Sequence, residues 1–208
     1  DFDIIDEEGF AEKVTWTYPS RTDCFSCHTF SENFVLGLNT PQMNGEFQYP
    51  SSGVTANQLE SLDFSGYFDE PLPADSSLLD RMTDYTDFNA SMDRRVSAYF
   101  ASNCAMCHNP SGTAPTNVNF RWGTSVEDMN IDGVVPQRGD LGIENARIVE
   151  FGAPERSVLL QRMATTDPLV RMPPLATHRV DEETVALIEE WISIRGQTRA
   201  ESAWQDYR

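Results

Sequence analysis

A five-residue motif that occurs twice constrains this chain more than any other feature. All four cysteines lie in residues 24–28 (CFSCH) and 104–108 (CAMCH), and two of the three histidines close these segments. The pattern C-x-x-C-H is the attachment signature of c-type haem, in which a thiol pair on one turn bonds the vinyl groups of one porphyrin. The histidine that follows lies under the iron as its proximal ligand. The sequence therefore predicts two covalently bound haem c groups. The residues that hold them are Cys24, Cys27, Cys104 and Cys107, with His28 and His108 as iron ligands.

Three other roles for the cysteines compete with haem attachment. A redox dithiol normally lies in a strand-to-helix unit and needs no histidine after it. A zinc ribbon separates its cysteine pairs by roughly 15–20 residues, whereas Cys27 and Cys104 are much further apart. Two disulfides are the third alternative, although cysteines this close in sequence pair less readily with each other than with distant ones. The histidine that directly follows each pair favours haem over all three.

Charge and hydropathy exclude several classes of partner. The chain has 33 acidic and 15 basic residues, for a formal net charge of −18. Nucleic acid is excluded as a partner because phosphate binding needs a surplus of Lys and Arg, and an anionic membrane surface is disfavoured for the same reason. No stretch approaches the roughly 18 consecutive apolar residues that a membrane span needs. We expect no membrane span.

The chemistry of haem attachment indicates a compartment. Thioether links to haem form outside the bacterial cytoplasm, so we expect a periplasmic or secreted bacterial protein. The chain opens at Asp1 without an initiator Met or a signal peptide. We interpret it as a mature form or as a segment of a larger protein, and thus as a monomer or a domain of a longer chain.

Helix signals predict a mainly α fold. A capping box at residues 55–58 predicts a helix there, and residues 91–103 read as a helix that runs directly into Cys104. Proline early in residues 153–155 marks another helix start. A final helix is predicted from its cap at Asp181 to Gly196. Residues 109–139 are rich in Gly, Pro and Asn, which predicts a long irregular loop wrapped around a bound group.

A weak internal repeat suggests a division of the chain. Residues 77–82 (SLLDRM) resemble residues 158–163 (VLLQRM), and each half carries one C-x-x-C-H. We therefore predict two cytochrome c-like haem units in tandem. Residues 1–88 form the first unit and residues 89–208 the second, with long irregular loops in both.

The distal ligand of each iron decides between an electron carrier and a catalyst. Methionine favours the reduced iron, a second histidine lowers the potential, and an open site binds small molecules. For the second haem, Met172 followed by two prolines stands in a loop just before the last helix, which is the placement of a distal methionine in small cytochromes c. His178 is the rival ligand for this iron.

The first haem has several candidate distal ligands. Met43 lies in a loop before the helix predicted at residue 55, which is the same order of parts as at Met172. Met82 stands at a more usual separation from His28, and His178 could also reach this haem. An open site is the remaining alternative. Each methionine could instead be a packing residue, since methionine commonly fills gaps in cores.

Longer segments around these motifs resemble a family of bacterial di-haem c-type proteins. The segments are residues 18–24 (YPSRTDC), 33–40 (NFVLGLNT), 101–108 (ASNCAMCH) and 171–175 (RMPPL), and the resemblance spans about residues 17–195. In that family such regions occur alone or fused to sugar-dehydrogenase-like propellers or carbohydrate-binding modules. The resemblance implies electron transfer, often beside carbohydrate oxidation.

These observations predict a soluble di-haem electron carrier that is not itself an enzyme. It would relay electrons to or from an extracytoplasmic oxidoreductase, and a sugar dehydrogenase or a copper oxygenase acting on polysaccharide is a plausible redox partner. One alternative is a di-haem enzyme such as a peroxidase, which needs one open iron and an acid–base group beside it. A haem-based ligand sensor is the other, and it also needs an open iron.

Overall fold

The computed structural model describes residues 1–5, 9–30, 34–73, 75–175 and 177–205. Within these ranges, short helices and two small sheets come first. The two longest helices, with irregular segments between them, follow. The helices are α1 (Arg21–Cys24), α2 (Thr40–Met43), α3 (Gln58–Phe64), α4 (Met92–Asn103), α5 (Val158–Met163) and α6 (Glu182–Gln205). The strands are β1 (Phe2–Ile5), β2 (Ala11–Val14), β3 (Glu46–Gln48) and β4 (Thr55–Asn57).

Both sheets are two-stranded antiparallel ribbons. In the first, β1 pairs with β2 so that Phe2 lies opposite Val14. In the second, β3 pairs with β4 and Glu46 lies opposite Asn57. Helices account for 33% of the chain and strands for 9%, which makes the fold mixed α/β. The prediction of a mainly α fold is therefore wrong.

A hydrophobic core joins α4, α5 and α6 to the irregular segment between them. Phe100 of α4 packs on Phe120, with ring centroids 4.3 Å apart, and meets the edge of Trp191 of α6 at 6.0 Å. Met129 and Ile131 of the irregular segment are fully buried in the same cluster. Residues 109–139 thus supply part of the protein core. That this segment wraps around a bound group stays a prediction.

The described residues do not form two cytochrome units in tandem. Every buried hydrophobic side chain among them lies between Val96 and Ile192, with the exception of Leu59. The segments of the proposed repeat also differ: Ser77 and Leu78 are exposed in a short 3₁₀ turn, whereas Val158 and Leu159, at the matching positions, lie in α5, where Val158 is buried and Leu159 is half-buried. The described residues before Val96 bury one apolar side chain, Leu59, which is too few for a comparable core, so the tandem prediction is wrong. The boundary near residue 88 stays a prediction.

The helix leading into the second motif is confirmed. Ser91 caps α4, because its hydroxyl accepts a hydrogen bond from the backbone N–H of Arg94. Val96, Tyr99 and Phe100 are buried, as their helical spacing predicts. The helix ends at Asn103, and Cys104 is its C-cap.

Two other predicted helix starts need correction. Residues 55–57 form β4, and α3 begins only at Gln58, capped by Asn57 through a 2.9 Å hydrogen bond from the N–H of Leu59. Pairing with β3 takes the backbone groups that the predicted capping box would have used. At the other site, Pro154–Arg156 is a 3₁₀ turn, and α5 starts at Val158.

The last helix starts where predicted but continues past Gly196. Asp181 accepts a hydrogen bond from the N–H of Thr184 at 3.1 Å, which caps α6. Gly196 lies inside the helix against Gly152, and a Cβ built on Gly196 would come within 2.2 Å of the Gly152 Cα. This glycine therefore permits a close backbone approach and is not a helix terminator.

Asn44 organises the first half of the chain from a buried position. It is only 4% exposed. Its amide nitrogen donates to the carbonyls of Ser76 and Leu79 at 3.0 and 2.9 Å, and its amide oxygen accepts from Asn57 at 2.8 Å. One side chain thus ties the loop before residue 80 to the turn between β4 and α3.

We expect Asn44→Ala to lower the free energy of unfolding by about 1–3 kcal/mol, because it leaves buried carbonyls without donors. Chemical denaturation measures the loss, and hydrogen exchange should show it concentrated in residues 40–80. Asn89→Ala is the matched control, since Asn89 is exposed and bonds locally to Asp87. Equal stability of the two variants would contradict the role given to Asn44.

No helix in the described ranges is long and apolar enough to cross a membrane.

Candidate functional site

The two C-x-x-C-H segments fold in the same way. In the first, the N–H groups of Cys27 and His28 donate to the carbonyl of Cys24 at 3.2 and 2.9 Å. In the second, Cys107 and His108 donate to the carbonyl of Cys104 at 3.1 and 2.9 Å. Each motif is therefore a helical turn at the end of its helix. Residues three apart on such a turn are neighbours, so each thiol pair points to one side with its histidine next to it.

A capping box positions the first motif. The Ser20 hydroxyl accepts a hydrogen bond from the N–H of Asp23, and the Asp23 carboxylate accepts one from the N–H of Ser20 at 2.9 Å. The Ser20 hydroxyl also donates to the Asp23 carboxylate at 2.7 Å, and this bond, together with that from the Ser20 N–H, holds the pKa of Asp23 below its usual value. The box allows the four-residue helix α1 to form, although so short a helix has little stability of its own.

The core and the loop after it position the second motif. The N–H of Cys104 donates to the Phe100 carbonyl at 2.9 Å, which fixes the motif to the buried end of α4. Beyond the motif, the side chain of Asn109 donates to the Ala105 carbonyl at 2.7 Å. A Cβ on Gly112 would lie 2.1 Å from the Cys107 carbonyl oxygen, so glycine is required where the loop crosses the motif.

His28 has the arrangement of a metal-ligating histidine. Its Nδ1 lies 2.9 Å from the carbonyl oxygen of Phe34. Because a carbonyl only accepts, Nδ1 donates this hydrogen bond, which in the neutral imidazole leaves the lone pair on Nε2. Metal-ligating histidines commonly donate their second nitrogen to a carbonyl or carboxylate in this way. The side chain is exposed, so Nε2 is accessible to a group bound by Cys24 and Cys27.

His108 lies deeper than His28 and differs in its hydrogen bonding. Its ring packs at 5.6 Å from Phe120. Its Nδ1 is buried and has no hydrogen-bond partner in the described ranges. Burial lowers the pKa of His108, which favours the neutral imidazole that binds metals. A histidine with a purely structural role would normally have this atom satisfied.

The structure brings the two motifs into direct contact. The Sγ atoms of Cys27 and Cys107, 80 positions apart in the chain, lie 3.7 Å from each other. The hydroxyl of Thr113 donates to the carbonyl of Ser26 at 2.9 Å and bridges the same junction. The sequence offers no signal for this contact, because it depends on how the halves of the chain pack.

All four thiols are free. Burial, with a contribution from Cys107, raises the pKa of Cys27 to about 11 and that of Cys104 to about 12. These two thiols are therefore protonated at neutral pH. In the described ranges no group of three or more His, Cys, Asp or Glu side chains is arranged to hold a metal ion.

Exposed aromatic side chains surround the first motif. Phe25, Phe30 and Phe34 are all more than half exposed. The ring of Phe34 contacts those of Phe25 and Phe30 edge-on, with centroids 6.4 and 6.3 Å apart. A contiguous exposed apolar surface of this kind marks a binding site more often than it marks ordinary surface. These rings fit a flat apolar group attached at Cys24 and Cys27.

Met172 lies in the loop between α5 and α6. Its backbone N–H donates to the carbonyl of Arg162 at 2.9 Å, and the Arg162 guanidinium in turn donates to the Val170 carbonyl at 2.9 Å. The Met172 side chain is 38% exposed. Arg162 thus anchors the loop that carries the predicted distal ligand. Coordination by Met172 stays a prediction.

The other candidate distal ligands lie in three different places. Met43 ends α2 and lines an open cleft of about 520 Å³ together with Leu59 of α3. The Met82 sulfur lies 3.5 Å from the hydroxyl of Ser102, beside the helix that carries the second motif. His178 packs against Trp16, with ring centroids 5.8 Å apart. Met82 therefore lies beside the helix that ends at the second motif, whereas the sequence made it one of several candidates for the first haem.

Three features of the site were not predicted from the sequence. The Phe34 carbonyl orients His28, Gly112 packs on Cys107, and Thr113 joins the motifs. Of these three features, only the role of Gly112 has a local sequence signal. Gly112 lies in the Gly-rich stretch that the sequence predicts to be irregular. The other two depend on contacts that only the fold reveals.

Comparisons with protein-family models, curated proteins and solved structures give no match to this chain. The likeness to bacterial di-haem c-type proteins therefore rests on the sequence segments around the motifs.

Proposed function

We propose that this chain is an electron carrier with two covalently bound haem c groups. The observation that supports the proposal is the shared backbone turn of the two C-x-x-C-H segments, each with a histidine directly after its second cysteine. A pair of disulfides gives no reason for the histidine, and a zinc ribbon normally separates its cysteine pairs by only about 15–20 residues.

Each residue of the site has a part in holding the group. Cys24 and Cys27 would bind the first haem and Cys104 and Cys107 the second, with His28 and His108 as proximal ligands. When bound, haem c supplies reversible one-electron chemistry at its iron. The Phe34 carbonyl orients the His28 ring. The rings of Phe25, Phe30 and Phe34 would exclude water from the side of the first haem that they cover.

The charge of the chain defines a class of partner. A net charge of −18 repels other acidic proteins and attracts a partner with a basic docking surface. We place this partner among extracytoplasmic oxidoreductases, in the periplasm or outside the cell. The resemblance to di-haem proteins fused to sugar-dehydrogenase-like propellers makes a carbohydrate-oxidising dehydrogenase or copper oxygenase the first choice.

A potentiometric titration of natively matured protein tests the proposed function. An electron carrier takes up two electrons per chain reversibly, and its spectra stay low-spin in both oxidation states. Carbon monoxide should not bind rapidly to the reduced protein. Rapid binding of carbon monoxide together with turnover of peroxide would contradict the carrier and support an enzyme with an open iron.

The distal ligand of the second haem gives a further prediction. Met172→Leu keeps the bulk of the side chain but removes its sulfur, so we expect both haems to stay attached and one potential to fall. The sulfur-to-iron charge-transfer band of that haem should disappear as well. Redox titration and near-infrared absorption measure the two effects.

Met129→Leu is the matched control for this substitution, because Met129 is fully buried in the protein core. We expect it to leave both potentials unchanged. His108→Ala should instead remove the low-spin signature of the second haem. An unchanged potential in Met172→Leu would remove Met172 from the site.

A further inference from the structure

We propose that the contact between Cys27 and Cys107 makes the two haem groups one electronically coupled pair, and that Thr113 is the residue that positions this contact. The inference rests on the proposed function and specifies how its two redox centres work together. It begins with the 3.7 Å separation between the Sγ atoms of the two cysteines.

Thioether attachment turns this sulfur contact into a contact between cofactors. Each sulfur is bonded to a substituent of the porphyrin that it carries, so groups attached at Cys27 and Cys107 have neighbouring edges. The Cys107 sulfur also lies 3.6 Å from the carbonyl of Ser26, within the first motif. Both contacts are made by the Cys107 sulfur, which places it against two consecutive residues of the first motif.

A short loop segment holds both motifs in this arrangement. The N–H of Ala114 donates to the Cys107 carbonyl at 3.2 Å, and the hydroxyl of Thr113 donates to the Ser26 carbonyl at 2.9 Å. Gly112 lies against the Cys107 carbonyl, where a larger residue would not fit. The consecutive residues Gly112, Thr113 and Ala114 therefore contact both motifs. The Thr113 hydroxyl is the link from this segment to the first motif.

Coupling has a consequence for the partner. A charge added to one centre makes reduction of its neighbour less favourable, and this effect is strong at short range in a protein interior. The two potentials should therefore be separated even where the iron ligands are alike. Such a pair stores the two electrons that a dehydrogenase releases when it oxidises one hydroxyl to a carbonyl, while both protons pass to solvent.

Circular dichroism in the Soret region tests the proposal on natively matured protein. Coupling between two haems in contact adds paired bands of opposite sign that are absent from the summed spectra of the variants Cys24→Ala/Cys27→Ala and Cys104→Ala/Cys107→Ala, which each keep one haem. We expect the paired bands in the wild-type chain. We expect them to weaken in Thr113→Val, which keeps the shape of the side chain but loses the hydroxyl.

Thr124→Val is the matched control, since Thr124 lies in the same irregular region and its backbone N–H donates to Arg121, outside both motifs, and it should leave the paired bands intact. A pyridine haemochrome assay on each sample separates the possible failures. Two haems per chain with a spectrum equal to the sum of the single-haem spectra would overturn the coupled pair but leave the carrier standing. Fewer than two haems in the wild type would overturn both. Unchanged paired bands in Thr113→Val would remove Thr113 from its positioning role.

Discussion

The double substitution Cys24→Ala and Cys27→Ala is expected to reduce the haem content from two per chain to one. Both attachment bonds of the first group disappear, while the second motif keeps its own turn at the end of α4. A pyridine haemochrome assay normalised to polypeptide concentration measures the change. The corresponding change at Cys104 and Cys107 should also remove one haem.

Ser26→Ala is the control within the first motif. Its hydroxyl makes only a long local hydrogen bond to the Thr22 carbonyl at 3.4 Å, and the contacts with the second motif use its backbone. We expect this variant to keep two haems. If the double cysteine variant also keeps two haems, the first motif is not an attachment site.

Replacement of Gly196 by alanine should destabilise the protein strongly. Alanine favours an isolated helix over glycine by about 1 kcal/mol, but here its Cβ would lie 2.2 Å from the Cα of Gly152. The collision involves backbone, so no side-chain rotation relieves it. Overpacking of this kind costs about 3 kcal/mol, which corresponds to a fall in Tm of roughly 6–12 °C for a chain of this size.

Thermal denaturation of Gly196→Ala beside Gln197→Ala checks this expectation. Gln197 is the next residue of α6 and is exposed, so its replacement carries the ordinary effect of alanine on a helix surface. A Tm for Gly196→Ala equal to or above that of Gln197→Ala would show that α6 does not pack closely on Gly152.

Local signals in the sequence predicted the parts of the fold that depend on neighbouring residues. Asp181 caps α6 as predicted, and α4 lies within residues 91–103, where a helix was predicted. The C-x-x-C-H segments form equivalent turns, which is what their spacing requires. In each of these cases the interaction joins residues a few positions apart.

Predictions failed where distant parts of the chain decide the outcome. Gly196 looks like a helix end, but its role comes from Gly152, which a loop brings against α6. Residues 55–57 look like a helix start, but pairing with β3 makes them a strand. The contact between Cys27 and Cys107 is invisible in the sequence for the same reason, although it defines the candidate site.

The tandem arrangement failed for an energetic reason. Burial of apolar area is the main favourable term in folding, and the buried apolar side chains described in the structure come almost entirely from the second half. Residues 77–82 and 158–163 have similar sequences, yet Leu160 is buried in the core whereas Leu79, at the matching position, is only half-buried. A repeated motif therefore did not imply a repeated core.

The intact mass of natively matured protein, measured after treatment with a thiol-alkylating reagent under denaturing conditions, tests the central claim most directly. We predict the mass of the polypeptide plus two haem groups, with none of the four cysteines alkylated. A mass equal to the polypeptide plus four alkyl groups would contradict the account.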